Sequence, residues 1–393
     1  MAGFNFTKGG CKLNIDDCYR NSLDIEAFSL MMKNPSYCYK FYWLEAIVHL
    51  ISEGVKETTF NEIIGEMIVD AWYSVLEFHI HLSGVVEGQV RDGLERAVIL
   101  LQQLSSLPGN ASKVEIKNAI EKYNSELKIY KEQLTNMVPY RALAGFFDKC
   151  DEPVNWSSTR RMVAYMERIN HISILPYTLG TSGKLKKEVY FNPAWMKMIQ
   201  DNTVSILGWI QYEKVKWLQS NNPEVPGLIY KLTPLDEKMR KIDKVRKLWN
   251  IVIETNPIID VFNNQPIVQN NFDVDHFIPW SFVMNDELWN LMPMDSSLNS
   301  AKSNKLPKWD PFFKRFVDNQ YIMYGLINDK TRPEFHKKFE ACYKDNLHSI
   351  WASQELYLRG NTKEEFYHIL EKNMQPVYDS ARRQGYQIWN QTD

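Results

Sequence analysis

The sequence predicts a mainly α-helical protein with one small strand–strand–helix module placed among its C-terminal helices. Apolar residues recur at helical spacing over most of the chain, whereas short alternating stretches that favour strands are few. With 393 residues, the chain is longer than one compact core usually organises, so two or three domains are expected. Three helix starts are marked by capping boxes, Thr59-x-x-Glu62, Ser112-x-x-Glu115 and Thr362-x-x-Glu365.

The composition indicates a globular protein of the cytoplasm. Apolar residues make up 44% and charged residues 24% of the chain, a balance that argues against extensive disorder. No apolar run approaches the ~18 residues of a membrane span, and residues 1–14 lack the apolar core of a secretion signal. The five cysteines contain no C-x-x-C pair, which favours reduced thiols over a structural zinc site.

Residues 1–226 are predicted to form a mostly helical region with a regulatory or targeting role. Helices are expected over 39–52, 59–83, 112–137 and 194–218, from the spacing of their apolar residues. A short hairpin is expected near 172–191, where two strand-like stretches flank Gly180 to Gly183. The run Asn221-Asn-Pro-Glu-Val-Pro-Gly227 is the clearest break in the pattern and predicts a domain boundary.

Residues 227–393 are predicted to form the second domain, with a lead-in helix over 235–253 and a helical tail over 308–393. Between them, residues 272–279 alternate as a short strand, and residues 288–292 form a second strand after a polar turn. Residues 296–305 suit a short helix that ends at Leu306-Pro307. The core of this domain, 271–307, therefore has the order of a ββα unit.

The residues of this core resemble those of a known enzyme family. The pattern Asp275-His276-Phe-Ile-Pro279, then Asn290-Leu291, then Asn299-x-x-Lys302 is similar to that of the HNH, or ββα-metal, endonucleases. Its spacing is closest to the HNH domain of the RNA-guided CRISPR nucleases. The third position of the motif is Asn instead of His, which makes this an H-N-N variant. The resemblance is limited to about residues 271–307.

The resemblance implies a role for each residue of the pattern. His276 would be the general base, a task that suits the unperturbed pKa of histidine. Asp275 and Asn299 would bind a divalent metal ion, and their hard oxygen ligands favour Mg²⁺ or Mn²⁺ over zinc. Asn290 would tie the loop backbone and hold the histidine strand. Lys302, one helical turn after Asn299, would contact the scissile or an adjacent phosphate.

A basic stretch lies just before this core. Residues 231–247 contain seven Lys or Arg and three acids. One interpretation is that the helix leads nucleic-acid backbone to the site; the other is an ordinary solvated face of an amphipathic helix. The candidate nucleic-acid contacts are Lys238, Arg240, Lys241, Lys244 and Lys247.

Three other features favour structural interpretations. His79-x-His81 is unlike a metal site if it lies on a helix, because positions two apart point in different directions. The acids of Asp236-Glu237-Lys238 suit a helix start, where they compensate the helix dipole. Trp209, Tyr212 and Trp217 lie in apolar helical surroundings, so they are expected in the core and not as stacking platforms for bases.

The sequence therefore predicts a one-metal HNH endonuclease that acts on DNA, with RNA left open as a substrate. A net charge of −2 is low for a protein that binds DNA constitutively, so activity is expected to depend on a partner or trigger. A partner protein or a homodimer through the N-terminal helices would fit. By family analogy, the setting is bacterial defence, as a restriction or anti-phage effector. The alternative is a catalytically silent subunit that binds nucleic acid or protein within a larger nuclease complex.

Overall fold

A computed structural model describes residues 3–7, 10–15, 17–32, 35–83, 85–86, 89–90, 92–147, 158–181, 183–232 and 240–390 of the protein. The chain is mainly α-helical, with few and short strands, as the sequence predicts. It divides into two compact units, Met1–Pro223 with Lys231–Thr233, and Glu224–Tyr230 with Pro234–Asp393. Within the described residues, no helix is both long and apolar enough to cross a membrane.

The described part of the first unit consists of helices with small antiparallel sheets. Its helices are α1 (Asp17–Arg20), α2 (Ile25–Leu30), α3 (Tyr39–Ser52), α4 (Phe60–Phe78), α5 (Gly93–Ser105), α6 (Lys113–Lys122), α7 (Asn124–Thr135), α8 (Val138–Arg141), α9 (Ala144–Phe147), α10 (Thr159–Ile172), α11 (Pro193–Asp201) and α12 (Thr203–Asn221). Its strands are β1 (Gly3–Thr7), β2 (Gly10–Asn14), β3 (Glu57–Thr59), β4 (Val85–Val86), β5 (Gln89–Val90), β6 (Tyr177–Leu179) and β7 (Glu188–Phe191).

Helix α3 lies at the centre of the first unit, packed against α4, α11 and α12. It is buried nearly all round, which is the pattern of a core helix. The capping boxes at Thr59 and Ser112 are both confirmed, since each hydroxyl accepts from the backbone of the third helical residue and that residue's Glu reaches back. The predicted hairpin is also present as β6 and β7, with β3 added to form the order β3-β7-β6.

Two helices predicted as continuous are each broken in two. The 112–137 helix is interrupted at Tyr123 (φ −108°, ψ 26°), and the neighbouring Asn124 side chain accepts a hydrogen bond from the buried Lys131 ammonium. The 194–218 helix is interrupted at Asn202, whose amide donates back to the carbonyl of Met198. At Asn202, the side chain takes a backbone carbonyl of the preceding helix, a local bond that competes with a continuous helix.

The second unit contains the two-stranded sheet β8–β9 and the helices around it. Its elements are α13 (Asp243–Thr255), β8 (Asp273–His276), α14 (Trp280–Val283), β9 (Leu291–Met294), α15 (Ser296–Lys302), α16 (Trp309–Ile327), α17 (Pro333–Asn346) and α18 (Lys363–Arg383), with a 3-10 turn at Leu288–Asn290 and a π turn at Ala352–Leu356. Helix α18 begins at the predicted capping box of Thr362.

The β8–β9 sheet is held between helices that share one apolar core. Strands β8 and β9 are antiparallel, with His276 opposite Leu291 and Asp275 opposite Met292. Helices α13 and α16 pack against the strands, and their buried faces join one cluster that includes Trp249, Phe313 and Phe316. Burial of this size fixes the sheet firmly, because each large apolar side chain contributes about 1.5–3 kcal/mol. The predicted ββα order is confirmed, with the second strand starting at Leu291 instead of 288.

The predicted lead-in helix is shorter than expected. Residues 240–242 are not helical and α13 begins at Asp243, while residues 235–239 lie outside the described part of the chain. The Lys241 backbone N–H donates to the Asp286 carboxylate instead of joining a helix, which accounts for the later start.

Candidate active site

The Asp275-His276 pair lies at the end of β8. Because successive side chains of a strand point to opposite faces, the two residues face opposite sides of the sheet. The side chain of His276 is 1% exposed and that of Asp275 is 14% exposed. The short strand thus presents Asp275 toward solvent and buries His276.

The surroundings of His276 fix which of its ring nitrogens carries the proton. Nε2 lies 3.1 Å from the backbone carbonyl oxygen of Asn285 and 3.1 Å from Oδ1 of Asp286. A carbonyl oxygen only accepts hydrogen bonds, so Nε2 must be the protonated nitrogen. Nδ1 is buried and has no hydrogen-bond partner in the part of the chain that the structure describes. Its lone pair is therefore the one available to accept a proton from water.

Asp286 is itself held in place by the backbone around it. The N–H of Lys241 donates to Asp286 Oδ2 at 2.6 Å. The amide of Asn346, at the end of α17, donates to the backbone carbonyls of both Asp286 and Lys241 at 2.8 Å. Burial alone would raise the pKa of the Asp286 carboxyl. The close contact with His276, the hydrogen bond from Lys241 N–H and the nearby charge of Arg240 outweigh it and hold the pKa below its ordinary value.

Asn290 joins the two strands at the level of the histidine. Its amide nitrogen donates to the carbonyl of Ile278 and its amide oxygen accepts from the N–H of Ile278, both at 2.8 Å. Its own backbone carbonyl accepts from Phe277 N–H at 2.8 Å. Asn290 is fully buried, so these bonds are protected from water. The side chain of Asn290 thereby fixes the backbone that follows His276.

Helix α15 lies along β8 and places two polar side chains over two carboxylates. The amide nitrogen of Asn299 donates to Asp273 Oδ2 at 3.1 Å. One turn later, the ammonium of Lys302 lies 2.8 Å from Asp275 Oδ2 and 2.8 Å from the carbonyl oxygen of His276. Asp273 and Asp275 are two residues apart on the strand and therefore share a face. The start of α15 is fixed by Asp295, which caps Ser297 and Leu298.

Lys302, which is expected to contact a phosphate, is paired inside the fold in this structure. Its side chain is wholly buried, and its ammonium is occupied by Asp275 and the His276 backbone. Here the ammonium holds the Asp275 carboxylate, and the phosphate contact of Lys302 stays a prediction. A buried ammonium requires such partners, because an unpaired charge in the interior is costly.

Two oxygens on this face are not used by the hydrogen bonds just described. Oδ2 of Asp275 accepts from Lys302 and Asn299 donates through its nitrogen, so Asp275 Oδ1 and the amide oxygen of Asn299 are candidate metal ligands. Among the described residues, no three His, Cys, Asp or Glu side chains form a metal-binding cluster. The donor set is thus carboxylate and amide oxygen, the hard type that Mg²⁺ and Mn²⁺ prefer.

The candidate nucleic-acid contacts are distributed unevenly around the site. Lys241 and Lys244 form ion pairs with Asp345 at 3.2 and 2.6 Å, and Arg240 lies over the ring of Trp280. Lys247 is exposed on α13, and Lys238 lies outside the described residues. Among the described residues, the positive charges of Lys241 and Lys244 are therefore balanced in part by an acid of their own unit.

Two further residues belong to the site in the structure but are not among the predicted site residues, Asp273 and Asp286. Asp273 belongs to the strand pattern Asp-x-Asp, and its two-residue spacing from Asp275 would have placed it on the same face. Asp286 follows a polar turn ten residues after His276. Its contact with the histidine depends on the loop between the strands, so no local pattern indicates it.

Several residues of the first unit are expected to have structural roles. His79 is the left-handed cap of α4 (φ 52°), and His81 Nδ1 lies 2.8 Å from Glu95 Oε1. Burial is the main reason that the pKa of His79 falls to about 4. Trp209 is buried in the core as expected, whereas Tyr212 is exposed. Asp236 and Glu237 lie outside the described residues.

Comparison with known proteins identifies the family of the site. Residues 260–308 match the model of a family described as HNH endonuclease. No curated protein and no solved structure matches the chain. The chain therefore carries an HNH domain in part of its length, inside the second unit. The match implies nuclease activity and a nucleic-acid substrate, and HNH nucleases generally use a divalent metal ion.

Proposed function

We propose that the protein is a one-metal HNH endonuclease that hydrolyses phosphodiester bonds in DNA with Mg²⁺ or Mn²⁺. The observation that carries this proposal is the unpartnered Nδ1 of His276 beside a protonated Nε2, within the part of the chain that the structure describes. That tautomer is the one a general base needs, and the fixed Asp286 carboxylate favours the imidazolium that forms.

Each residue of the site has its own role in the proposed hydrolysis. His276 Nδ1 accepts a proton from the attacking water, whose oxygen bonds to phosphorus as the bond to the leaving oxygen breaks. A divalent ion held by Asp275 and Asn299 would stabilise the charge that develops on the phosphate and leaving oxygen. Lys302 keeps Asp275 oriented, and Asn290 keeps the backbone after His276 in place.

The proposal includes conditional activity in a bacterial defence setting. Support for conditional activity comes from the burial of His276, whose side chain is 1% exposed, and from the net charge of −2. A water molecule and a phosphate reach Nδ1 only after some movement around it, which a partner or trigger would supply. The defence setting rests on family analogy alone. The same burial also suits a catalytically silent subunit that only binds nucleic acid or protein.

A cleavage assay separates these two functions. Purified protein is incubated with supercoiled plasmid and Mg²⁺, beside His276→Ala and a control, His368→Ala, which removes an exposed histidine of α18. Slow basal nicking by the wild type and His368→Ala, but not by His276→Ala, is expected before any partner or trigger is added. Cleavage that survives His276→Ala would refute the assignment of the base. If a cellular effect of the protein survives His276→Ala, the silent subunit is the better description.

A further inference from the structure

A cavity of about 150 Å³ lies beside the start of β8, on the same unit as the nuclease site. Its lining consists of Arg246, Lys247, Asn250, Asn270 and Phe272. Two of these side chains are cationic, two are amides and none is acidic. At about 30 Å³ for each water molecule in the liquid, the space holds roughly five waters, which matches a group the size of a phosphate.

The two amides are joined to one another by two hydrogen bonds. The amide nitrogen of Asn250 donates to Asn270 Oδ1 at 2.7 Å, and Asn250 Oδ1 accepts from the backbone N–H of Asn270 at 2.9 Å. Both amide oxygens are thus occupied. The amide nitrogen of Asn270 and the ammonium of Lys247 have no acceptor among the residues that the structure describes.

Arg246 connects this cavity to the nuclease site. Its Nη1 donates to the carbonyl oxygen of Phe272 at 2.6 Å, and its Nη2 lies 3.7 Å from Asp273 Oδ1. Asp273 in turn bonds to Asn299 and shares a strand face with Asp275. The cavity is therefore next to the candidate metal-binding face and is joined to it by one side chain.

We propose that this cavity binds a backbone phosphate of the nucleic-acid strand whose scissile phosphate lies at Asp275 and Asn299. This inference rests on the proposed function, since it concerns the same substrate. Lys247 and the Asn270 amide supply unused donors, and Arg246 adds a second positive charge that Asp273 balances in part from 3.7 Å. Such a set favours an anion that accepts hydrogen bonds. A polymer that carries a phosphate about every 3.4 Å of helix axis on each strand can occupy both sites at once.

The test is the salt dependence of DNA binding without metal, where no cleavage occurs. Binding of a fluorescent duplex and of its single strand is followed by anisotropy in EDTA over a range of KCl concentrations. The variants are Lys247→Gln, which removes a cation, and Asn250→Asp, which keeps the acceptor for Asn270 N–H but adds a negative charge. The control is Lys337→Gln, the same change at an exposed position of α17.

Lys247→Gln is expected to weaken binding roughly three- to tenfold at low salt and to reduce the slope of log K against log salt by about 0.9. Asn250→Asp should weaken binding further, and Lys337→Gln should match the wild type. Equal behaviour of Lys247→Gln and the wild type would overturn the inference, as would an equal loss in Lys337→Gln. Thermal stabilisation by inorganic phosphate that Lys247→Gln abolishes, with DNA binding unchanged, would assign the site to a free anion and also overturn it.

The outcome can be distinguished from failure of the proposed nuclease function. A reduced slope in Lys247→Gln with no plasmid cleavage by any variant would reject the nuclease activity and leave the phosphate contact in place. An unchanged slope with normal cleavage would reject the phosphate contact alone.

Discussion

Nε2 of His276 lies 3.1 Å from Oδ1 of Asp286, and both side chains are buried. Asp286 comes from the loop between the two strands and is held by groups from two other segments, Lys241 and Asn346. The orientation of the proposed base is therefore set by residues outside the strand that carries it. Such supporting contacts matter because a base must be held within a narrow geometry to act on water.

Replacing Asp286 by Asn is expected to reduce the single-turnover cleavage rate by about 100-fold or more. The Asn side chain can still accept from Lys241 N–H, but it no longer stabilises a positive charge on His276. DNA affinity in EDTA should be unchanged, because Asp286 does not reach solvent. Asp345→Asn, which removes a carboxylate that pairs with Lys241 and Lys244, serves as the control and should cleave at nearly the wild-type rate. Equal rates for the wild type and Asp286→Asn would show that the contact has no catalytic role.

Asn290→Ala is expected to lower the free energy of unfolding of the second unit by about 2–6 kcal/mol. The change leaves the N–H and carbonyl of Ile278 without their buried partners, and each unsatisfied group costs about 1–3 kcal/mol. Urea denaturation measures the effect. Asn373→Ala, which removes a single partly buried bond to Ile369 on α18, should cost less than half as much. A loss no larger than in Asn373→Ala would mean that Asn290 does not hold this backbone.

Asn299→Ala is expected to raise the Mg²⁺ concentration needed for half-maximal cleavage roughly tenfold or more. The variant keeps Asp275 and removes the amide oxygen proposed as the second ligand. EDTA should abolish cleavage by the wild type, and Mg²⁺ or Mn²⁺ should restore it. Asn304→Ala, two residues past the end of α15, provides a comparison outside the proposed ligand set. An unchanged Mg²⁺ requirement in Asn299→Ala would remove Asn299 from the metal site.

The stability of the first unit should fall as the pH drops from about 6.5 to 4, because of His79. Its pKa in the folded protein is about 4, below the ordinary value of 6.5, chiefly because of burial. Between these values the unfolded chain binds more protons than the folded one, so acid favours unfolding by up to about 3 kcal/mol. Asn tolerates the left-handed backbone at position 79, so His79→Asn should still fold. The variant should lose this pH-dependent part of the free energy of unfolding, which urea titrations at several pH values measure. Parallel pH profiles for the two proteins would contradict the assignment.

Features that depend on nearby residues could be predicted from the sequence. The capping boxes at Thr59, Ser112 and Thr362 require only a hydroxyl and a Glu three residues apart, and all three form. The ββα order and the face alternation of Asp275 and His276 likewise follow from short periods. These features are local, so a single stretch of sequence contains the whole cause.

Contacts between distant segments could not be predicted in this way. Asp345 neutralises Lys241 and Lys244 from about a hundred residues further along the chain, which changes the meaning of the basic run. The burial of Lys302 depends on how α15 packs on β8, and a Lys at a helix end is ordinarily exposed. The pairing of a charged side chain with a distant residue leaves no periodic signal in the sequence.

Lys302→Met is expected to destabilise the second unit by about 3 kcal/mol, because it leaves the Asp275 carboxylate beside the site without its buried partner. If the pairing is the cause, Lys302→Met combined with Asp275→Asn should be less destabilised than the sum of the two single changes, by about 0.5 kcal/mol or more. Urea denaturation of the four proteins gives the coupling. The salt slope of DNA binding should stay at the wild-type value in Lys302→Met, since a fully buried ammonium makes no phosphate contact. A slope reduced by about 0.9 would instead return Lys302 to the role of a phosphate-binding residue.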